Sequence, residues 1–224
     1  MWTWRFSQGT RVPAERGPRI IDISPLVSPR TAVFPGDNAF SREVLLSIAG
    51  GANIDLSTIR TTVHVGAHAD APSHYQGGGD TIEMRALWRF YGPCQVVSVP
   101  DARGRRIVPA DVTVPITAPR VLFHTGSMPD PNAWNDDFAA LSPELIAWLH
   151  DECGVHLVGI DTPSIDPPSS KGLESHGAVA ARDMSIIEGL VLGDVAPSHY
   201  TLVAFPLKLE GADASPVRAV LLDG

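Results

Sequence analysis

Short runs of Val, Ile, Leu and Thr recur along the chain, each closed by Gly, Pro, Asp or Ser. Runs of this length and make-up predict β-strands. They cover Arg19–Ser24, Glu43–Ile48, Ile59–Val65, Cys94–Val99, Val121–Thr125, Val155–Ile160, Thr201–Leu207 and Val217–Leu222. Pro206 predicts a strand end or a sheet edge near the C-terminus. A helical period is clearest in Pro143–Cys153, where Leu145, Ile146 and Leu149 make one apolar stripe. Ser142 is suited to cap this helix, Pro143 to its first position and Gly154 to its end. A second helical stretch covers Leu173–Arg182. Many strands with few helices predict an α/β domain with a mixed, largely β core. Strand order is not legible in this pattern. No repeat or linker divides the chain, so residues 20–224 read as a single domain behind an extension at residues 1–19.

Composition sharpens this picture. Of 224 residues, 44% are hydrophobic and 19% charged, enough to build a substantial core. The formal charge is −8 and no basic run occurs, which argues against a nucleic-acid partner. No stretch approaches the roughly 20 apolar residues of a membrane span. The first 19 residues carry Arg5, Arg11, Arg16 and Arg19 against Glu15, with no apolar signal-peptide core. They read as a flexible extension rather than a docking arm. Cys94 and Cys153 stand alone in the sequence, as expected of two free thiols in a reducing cytoplasm.

The chemistry concentrates in Thr62-Val-His64-Val-Gly66-Ala-His68-Ala-Asp70-Ala-Pro72-Ser-His74, an H-x3-H-x-D-x3-H pattern. Imidazole and carboxylate form the ligand set of zinc and related divalent metals. No single regular element brings all of these residues to one ion. A strand at about 3.3 Å per residue separates His64 from His68 by about 13 Å. A helix at about 100° per residue turns Asp70 about 240° away from His64. A bend is required, and Gly66 is placed to supply it. Pro72 then ends any ladder. The expected form is a strand leading into a compact metal-binding loop. A single histidine here would read as an ordinary surface or core residue, but three with an aspartate favour a metal site. His150 and His156 read as solvated, as do His124 and His199.

Other motifs exclude more than they suggest. There is no GxSxG elbow and no GxGxxG. Gly77-Gly78-Gly79-Asp80 lacks the Lys and Ser/Thr of a phosphate loop and reads as a turn. Asp161-Thr-Pro-Ser-Ile-Asp166 follows an apolar strand and is compatible with either a site lining or a plain turn.

Taken in order, the motifs resemble those of the cyclase-like metal-dependent hydrolases, and their kynurenine formamidase (arylformamidase) branch in particular. The resemblance spans Ile20 to Leu222. It rests on DISPLVSP with FPGD, HVGAHADAPSHY, GIDTPSIDP with SK, IIEGLVL and LEGADASPVRAVL. It implies a swivelling β/β/α fold and a homodimer. It further implies a site for two divalent metal ions, Zn2+ by preference, held by His64, His68, Asp70, His176 and Glu188. His74 matches the acid/base. Phe34 falls at the substrate pocket, where the formamidase pattern carries tryptophan, and so keeps an aromatic face without the indole donor. The implied activity is hydrolysis of N-formyl-L-kynurenine to L-kynurenine and formate in tryptophan catabolism. Competing expectations are hydrolysis of another aryl amide or an isatin-type lactam, or a non-catalytic metal-binding homologue.

Overall fold

The computed structural model describes residues 18–223. Most of the expected N-terminal extension, residues 1–17, lies outside these, while Arg19 opens the first strand. Among the described residues the strands are β1 (Arg19–Asp22), β2 (Ser41–Leu46), β3 (Leu56–Arg60), β4 (His68–Asp70), β5 (Tyr91–Ser98), β6 (Arg106–Ile107), β7 (Arg120–His124), β8 (Ala140–Leu141), β9 (Leu157–Ile160), β10 (Ser185–Glu188), β11 (His199–Val203), β12 (Ala214–Pro216) and β13 (Val220–Asp223). The helices are α1 (Pro72–Tyr75), α2 (Pro143–Asp151) and α3 (Glu174–Ala180). None is long and apolar enough to cross a membrane.

Nine strands form one mixed sheet, ordered β1-β13-β11-β5-β7-β9-β10-β4-β12. The centre, β5-β7-β9-β10, is parallel, and both wings are antiparallel. The central strands are buried along most of their length and carry apolar runs, with polar residues mainly near their ends, because both of their faces are covered. Their side chains alternate between two cores, as the two-residue strand period requires. Val97, Val121, Phe123, Val158, Ile160 and Ile186 face the first core, where Leu145, Ile146 and Leu149 of α2 and Val179 of α3 cover them. Val96, Leu122, Leu157 and Ile187 face the second. That core also holds Leu202 and Leu221 from one wing and Ala69 from the other, so the sheet curls around it. This is the expected α/β class with a mixed, largely β core.

Helix α2 begins as its sequence predicts: the Ser142 hydroxyl accepts from Leu145 N at 3.0 Å and Pro143 takes the first position. It ends two residues before the expected Cys153. Larger departures occur around the histidine motif. The expected strand Ile59–Val65 stops at Arg60, and His64 lies in the bend that follows. His68 and Asp70 form their own strand, and Pro72 starts helix α1 as well as ending that strand. The run Ser185–Glu188, only four residues long and fused to Gly189, is a fully buried strand that the apolar pattern alone does not single out.

His156, read from sequence as solvated, is half-buried. Its ring meets the Trp88 edge with centroids 4.9 Å apart, and its Nδ1 is buried without a partner. Burial and the nearby Arg120 and Arg89 pull its pKa down to about 4. The unfolded chain therefore binds a proton at a pH where the folded chain does not, and stability declines as pH falls from 6.5 towards 4. His156→Gln removes this contribution. We expect the variant's urea midpoint to gain on that of the unsubstituted chain between pH 7 and pH 5; a pH-independent difference would show that His156 does not titrate this way.

Candidate active site

The site grows from the register of three short strands. In β4, His68 and Asp70 are two residues apart and so share one face, while Ala69 points into the core behind. The antiparallel neighbour β10 places Glu188 directly opposite His68. On the other side β12 places Ala214 opposite Asp70, which brings Asp213 to the rim. Gly66, at φ +60°, makes the bend that folds His64 back over the strand. His74 arrives on α1 and His176 on α3.

The resulting contacts divide the two buried carboxylates between the histidines. Asp70 Oδ1 lies 3.2 Å from His64 Nδ1 and 3.5 Å from His68 Nε2. Its Oδ2 lies 3.4 Å from His176 Nε2. Glu188 repeats the pattern: Oε2 is 3.3 Å from His68 Nε2 and Oε1 is 3.6 Å from His176 Nε2. Two neighbours orient the rings. His68 Nδ1 donates to the Gly66 carbonyl at 2.9 Å, and His176 Nδ1 donates to Asp166 at 2.7 Å. Both Nε2 atoms are thereby turned inward, as metal-ligating imidazoles require. Arg106 pairs with Asp166 at 2.6 Å behind His176.

Both Asp70 oxygens and His176 Nε2 are buried with no hydrogen-bond partner. Buried polar atoms are rarely left unpaired, and three of them gathered at one point, Asp70 Oδ2 being 3.4 Å from His176 Nε2, mark a place for a ligand. His64, His68 and Asp70 offer donor atoms within 4.8 Å of one another, and so do Asp70, His74 and His176. The donor set fits a divalent metal. Electrostatics agree. Burial alone would lower the His64 and His176 pKa values, but the surrounding carboxylates overcome it. They raise His64 to about 9 and His176 to about 10. Burial would raise the Asp70 pKa, yet His176 and His64 hold it well below the usual carboxylate range. The pocket is a concentrated negative site that binds protons when no metal is there. Metal uptake releases those protons, so affinity weakens in acid.

This centre opens into a cavity of about 840 Å³. Its floor is built at the carboxyl ends of β7, β9 and β10, with His124, Asp161 and Gly189 among the lining residues. Open α/β sheets characteristically bind ligands at that end of their strands. His124, read from sequence as solvated, thus lines the cavity. The Asp161–Asp166 segment is more than a turn. Asp161 accepts from the Thr125 and Gly126 amides at 2.9 and 2.8 Å, and Asp166 orients His176. Phe34 stands at the cavity wall, with the Trp134 edge packed on it at 5.1 Å between centroids.

All six polar residues named from the sequence, with Phe34, therefore border one centre and its cavity. Missed by sequence reasoning was Asp213, whose Oδ2 lies 2.9 Å from His64 Nε2 and 3.3 Å from His74 Nδ1. Its only sequence signal was membership of the LEGADASPVRAVL run. The role of Asp166 was likewise hidden within an ambiguous loop.

Residues 21–167 match the Cyclase family model, described as "Putative cyclase". Kynurenine formamidase from Bordetella petrii is 45% identical over 205 residues, covering 91% of this chain and 97% of that relative. A solved structure described as a potential metal-dependent hydrolase with cyclase activity superposes with a TM-score of 0.79 at 30% identity, covering 92% of this chain and 98% of that one. Isatin hydrolase A from Labrenzia aggregata has a TM-score of 0.76 at 22% identity, covering 92% and 93%, and shares the fold. The chain belongs to this family of cyclase-like hydrolases. It is a hydrolase acting on an amide bond.

One glycine governs how closely the two halves of the centre approach. At Gly189, φ +67°, a Cβ would lie 2.1 Å from the Gly66 carbonyl oxygen, the same oxygen that orients His68. Gly189→Ala is expected to cost about 2–4 kcal/mol through this overlap and the positive φ. It should also lower the metal content. Urea unfolding and metal analysis check this; a variant unchanged in both would show that the loop yields freely.

Proposed function

We propose that the chain hydrolyses N-formyl-L-kynurenine to L-kynurenine and formate, a step of tryptophan catabolism, at a site for two divalent metal ions, most suitably Zn2+. One observation carries the two-ion reading: Asp70 and Glu188 each direct one oxygen to the His64/His68 side and the other to His176. On this reading His64, His68 and Asp70 would hold one ion and His176 the second, with the Asp70 and Glu188 carboxylates serving both. Divalent ions supply Lewis acidity there, making water more acidic and drawing charge from a carbonyl oxygen.

The remaining chemistry falls to the chain's own residues. Water adds to the formyl carbon, forming a C–O bond, and the C–N bond to the aniline nitrogen then breaks. That nitrogen must gain a proton as it leaves. His74 borders the cavity beside the buried ligands and is placed to deliver it, as general acid. The second proton of water leaves with the formic acid and passes to solvent as formate forms. Phe34 offers a flat apolar face to the aryl ring. The 45% identity to a kynurenine formamidase supports this substrate over an isatin-type lactam, whose hydrolase shares 22%.

Metal analysis and formylkynurenine turnover on one preparation test the proposal. We expect two metals per chain, and activity lost on chelation and regained on adding metal. His74→Ala should keep its metal and lose turnover by about 10²–10⁴-fold. Full activity without metal would overturn the metal chemistry, and unchanged turnover in the variant would remove His74 from its role.

We further propose a homodimer. Strands β2 and β3 form a hairpin separate from the main sheet, and every one of their residues is exposed. Val44, Leu45, Leu46, Leu56 and Ile59 are apolar among them. Such a patch calls for a partner surface. Light scattering should give twice the chain mass, and Val44→Glu with Ile59→Glu should give the single mass. A monomeric unsubstituted chain would refute the dimer.

A further inference from the structure

We propose that Asp213 is a positioning residue for hydrolysis: its single oxygen Oδ2 receives both His64 and His74, and so couples the metal ligand to the proton donor. The inference rests on the formamidase reading above. It starts from how Asp213 itself is held. The Asp213 carbonyl accepts from Ala71 N at 2.9 Å, and the adjoining Ala212 carbonyl accepts from Ile82 N at 2.9 Å. Ala71 is the residue at which α1 begins, and its carbonyl accepts from His74 N at 3.0 Å. Carboxylate and imidazole are therefore mounted on two backbone segments that are hydrogen-bonded to each other at Ala71. On the other side, Ala214 is in register with Asp70, which ties Asp213 to the metal-binding strand.

The side-chain geometry then fixes which ring atoms do what. Asp213 Oδ2 lies 2.9 Å from His64 Nε2 and 3.3 Å from His74 Nδ1. A carboxylate only accepts, so each of those ring nitrogens donates to it. His64 is left with Nδ1 as its free donor atom, and that atom faces Asp70 Oδ1 at 3.2 Å. His74 is left with Nε2 to exchange a proton with the substrate. Its side chain is a third exposed and sits on a helix of only four residues. Among the described residues no other side-chain hydrogen bond fixes its ring, so the tautomer and orientation of His74 depend on Asp213.

Asp213 is close enough to His64 and His74 to invite a third reading, as a metal ligand in its own right. Two observations oppose it. The buried atoms that lack partners, both Asp70 oxygens and His176 Nε2, lie with the Nδ1 side of His64 and not with Asp213. The Asp213 side chain is also half exposed, whereas those of Asp70 and His176 are sealed. A carboxylate behind a ligating imidazole is an outer-shell partner, and loss of such partners typically costs about 10–100-fold in activity or metal affinity.

The test uses Asp213→Asn, with Asp213→Ser as a second variant in case the first is unstable, each assayed at saturating Zn2+. The substrates are formylkynurenine and a series of ring-substituted formanilides whose aniline leaving groups differ in basicity. We expect full metal content, KM within a few-fold of the unsubstituted chain, and kcat lower by about 10–100-fold. The loss should grow with leaving-group basicity, as it should in His74→Ala, because poor leaving groups depend most on proton delivery. In the His74→Ala background the second substitution should cost far less than it does in the unsubstituted chain, leaving only the part that acts through His64. A uniform loss across the series, or additive losses in the double variant, would overturn the positioning role. Loss of one metal per chain would make Asp213 a ligand and overturn it as well. If the unsubstituted chain hydrolyses none of these formamides, the formamidase reading itself fails; if it does and the variants keep its leaving-group dependence, only the role of Asp213 fails.

Discussion

The centre depends on holding Asp70 and Glu188, two carboxylates both under a tenth exposed, within reach of the same histidine ring. Like charges so placed in a poorly solvated interior repel each other and lose their hydration. Imidazoles interleave with them, and a backbone amide, Ile165 N, donates to Glu188 at 2.7 Å. A divalent cation would complete the balance. The strain of this arrangement is borne by the pairing of β4 between β10 and β12. A one-residue slip in that pairing would send His68 and Asp70 into the apolar core and bring Ala69 to the site. The core contacts of Ala69, Ile187 and Ala214 thus protect the chemistry as much as they stabilise the sheet.

The rest of the fold can be understood as the support for those three short strands. The parallel centre, β5 to β10, is packed on both faces and provides a rigid base. Its carboxyl ends release loops whose polar groups are tied down before they reach the cavity. Asp161 gathers the amides after β7, and Asp166 gathers the amides at the start of α3 together with the His176 ring. Precise placement of this kind comes from second-layer hydrogen bonds on rigid elements. The hairpin β2–β3 stands apart from this scheme. None of its residues belongs to either core, and it presents an apolar surface to the outside.

The comparisons and the geometry speak to different questions. High identity over most of two chains bears on the reaction, whereas the isatin hydrolase likeness at 22% bears on the fold alone. Between them lies the pocket wall. Phe34 does not stand there alone, because the Trp134 ring packs nearly perpendicular to it and is itself braced by Phe138. Phe34 is thus the aromatic residue on the cavity wall, with the two other rings behind it and the Trp134 indole donating to Asp136.

What could be read from residues alone was what local physics controls. The H-x3-H-x-D-x3-H spacing pointed to a metal site because few other uses bring those side chains so close in sequence. The need for a bend at Gly66 followed from strand and helix dimensions, and Ser142-Pro143 announced the start of α2. The family resemblance supplied His176 and Glu188, which no local pattern marked. Tertiary structure decided the rest. The rejection of regular structure for the whole motif hid the fact that His68 and Asp70 alone suit a strand face, because the bend belongs only to His64. Asp213 lies 149 residues from His64 and 139 from His74, and its contact with them exists only through the pairing of β12 with β4. Sequence spacing reports neighbours along the chain; sheet register, set by long-range hydrogen bonds and burial, determines the neighbours across it.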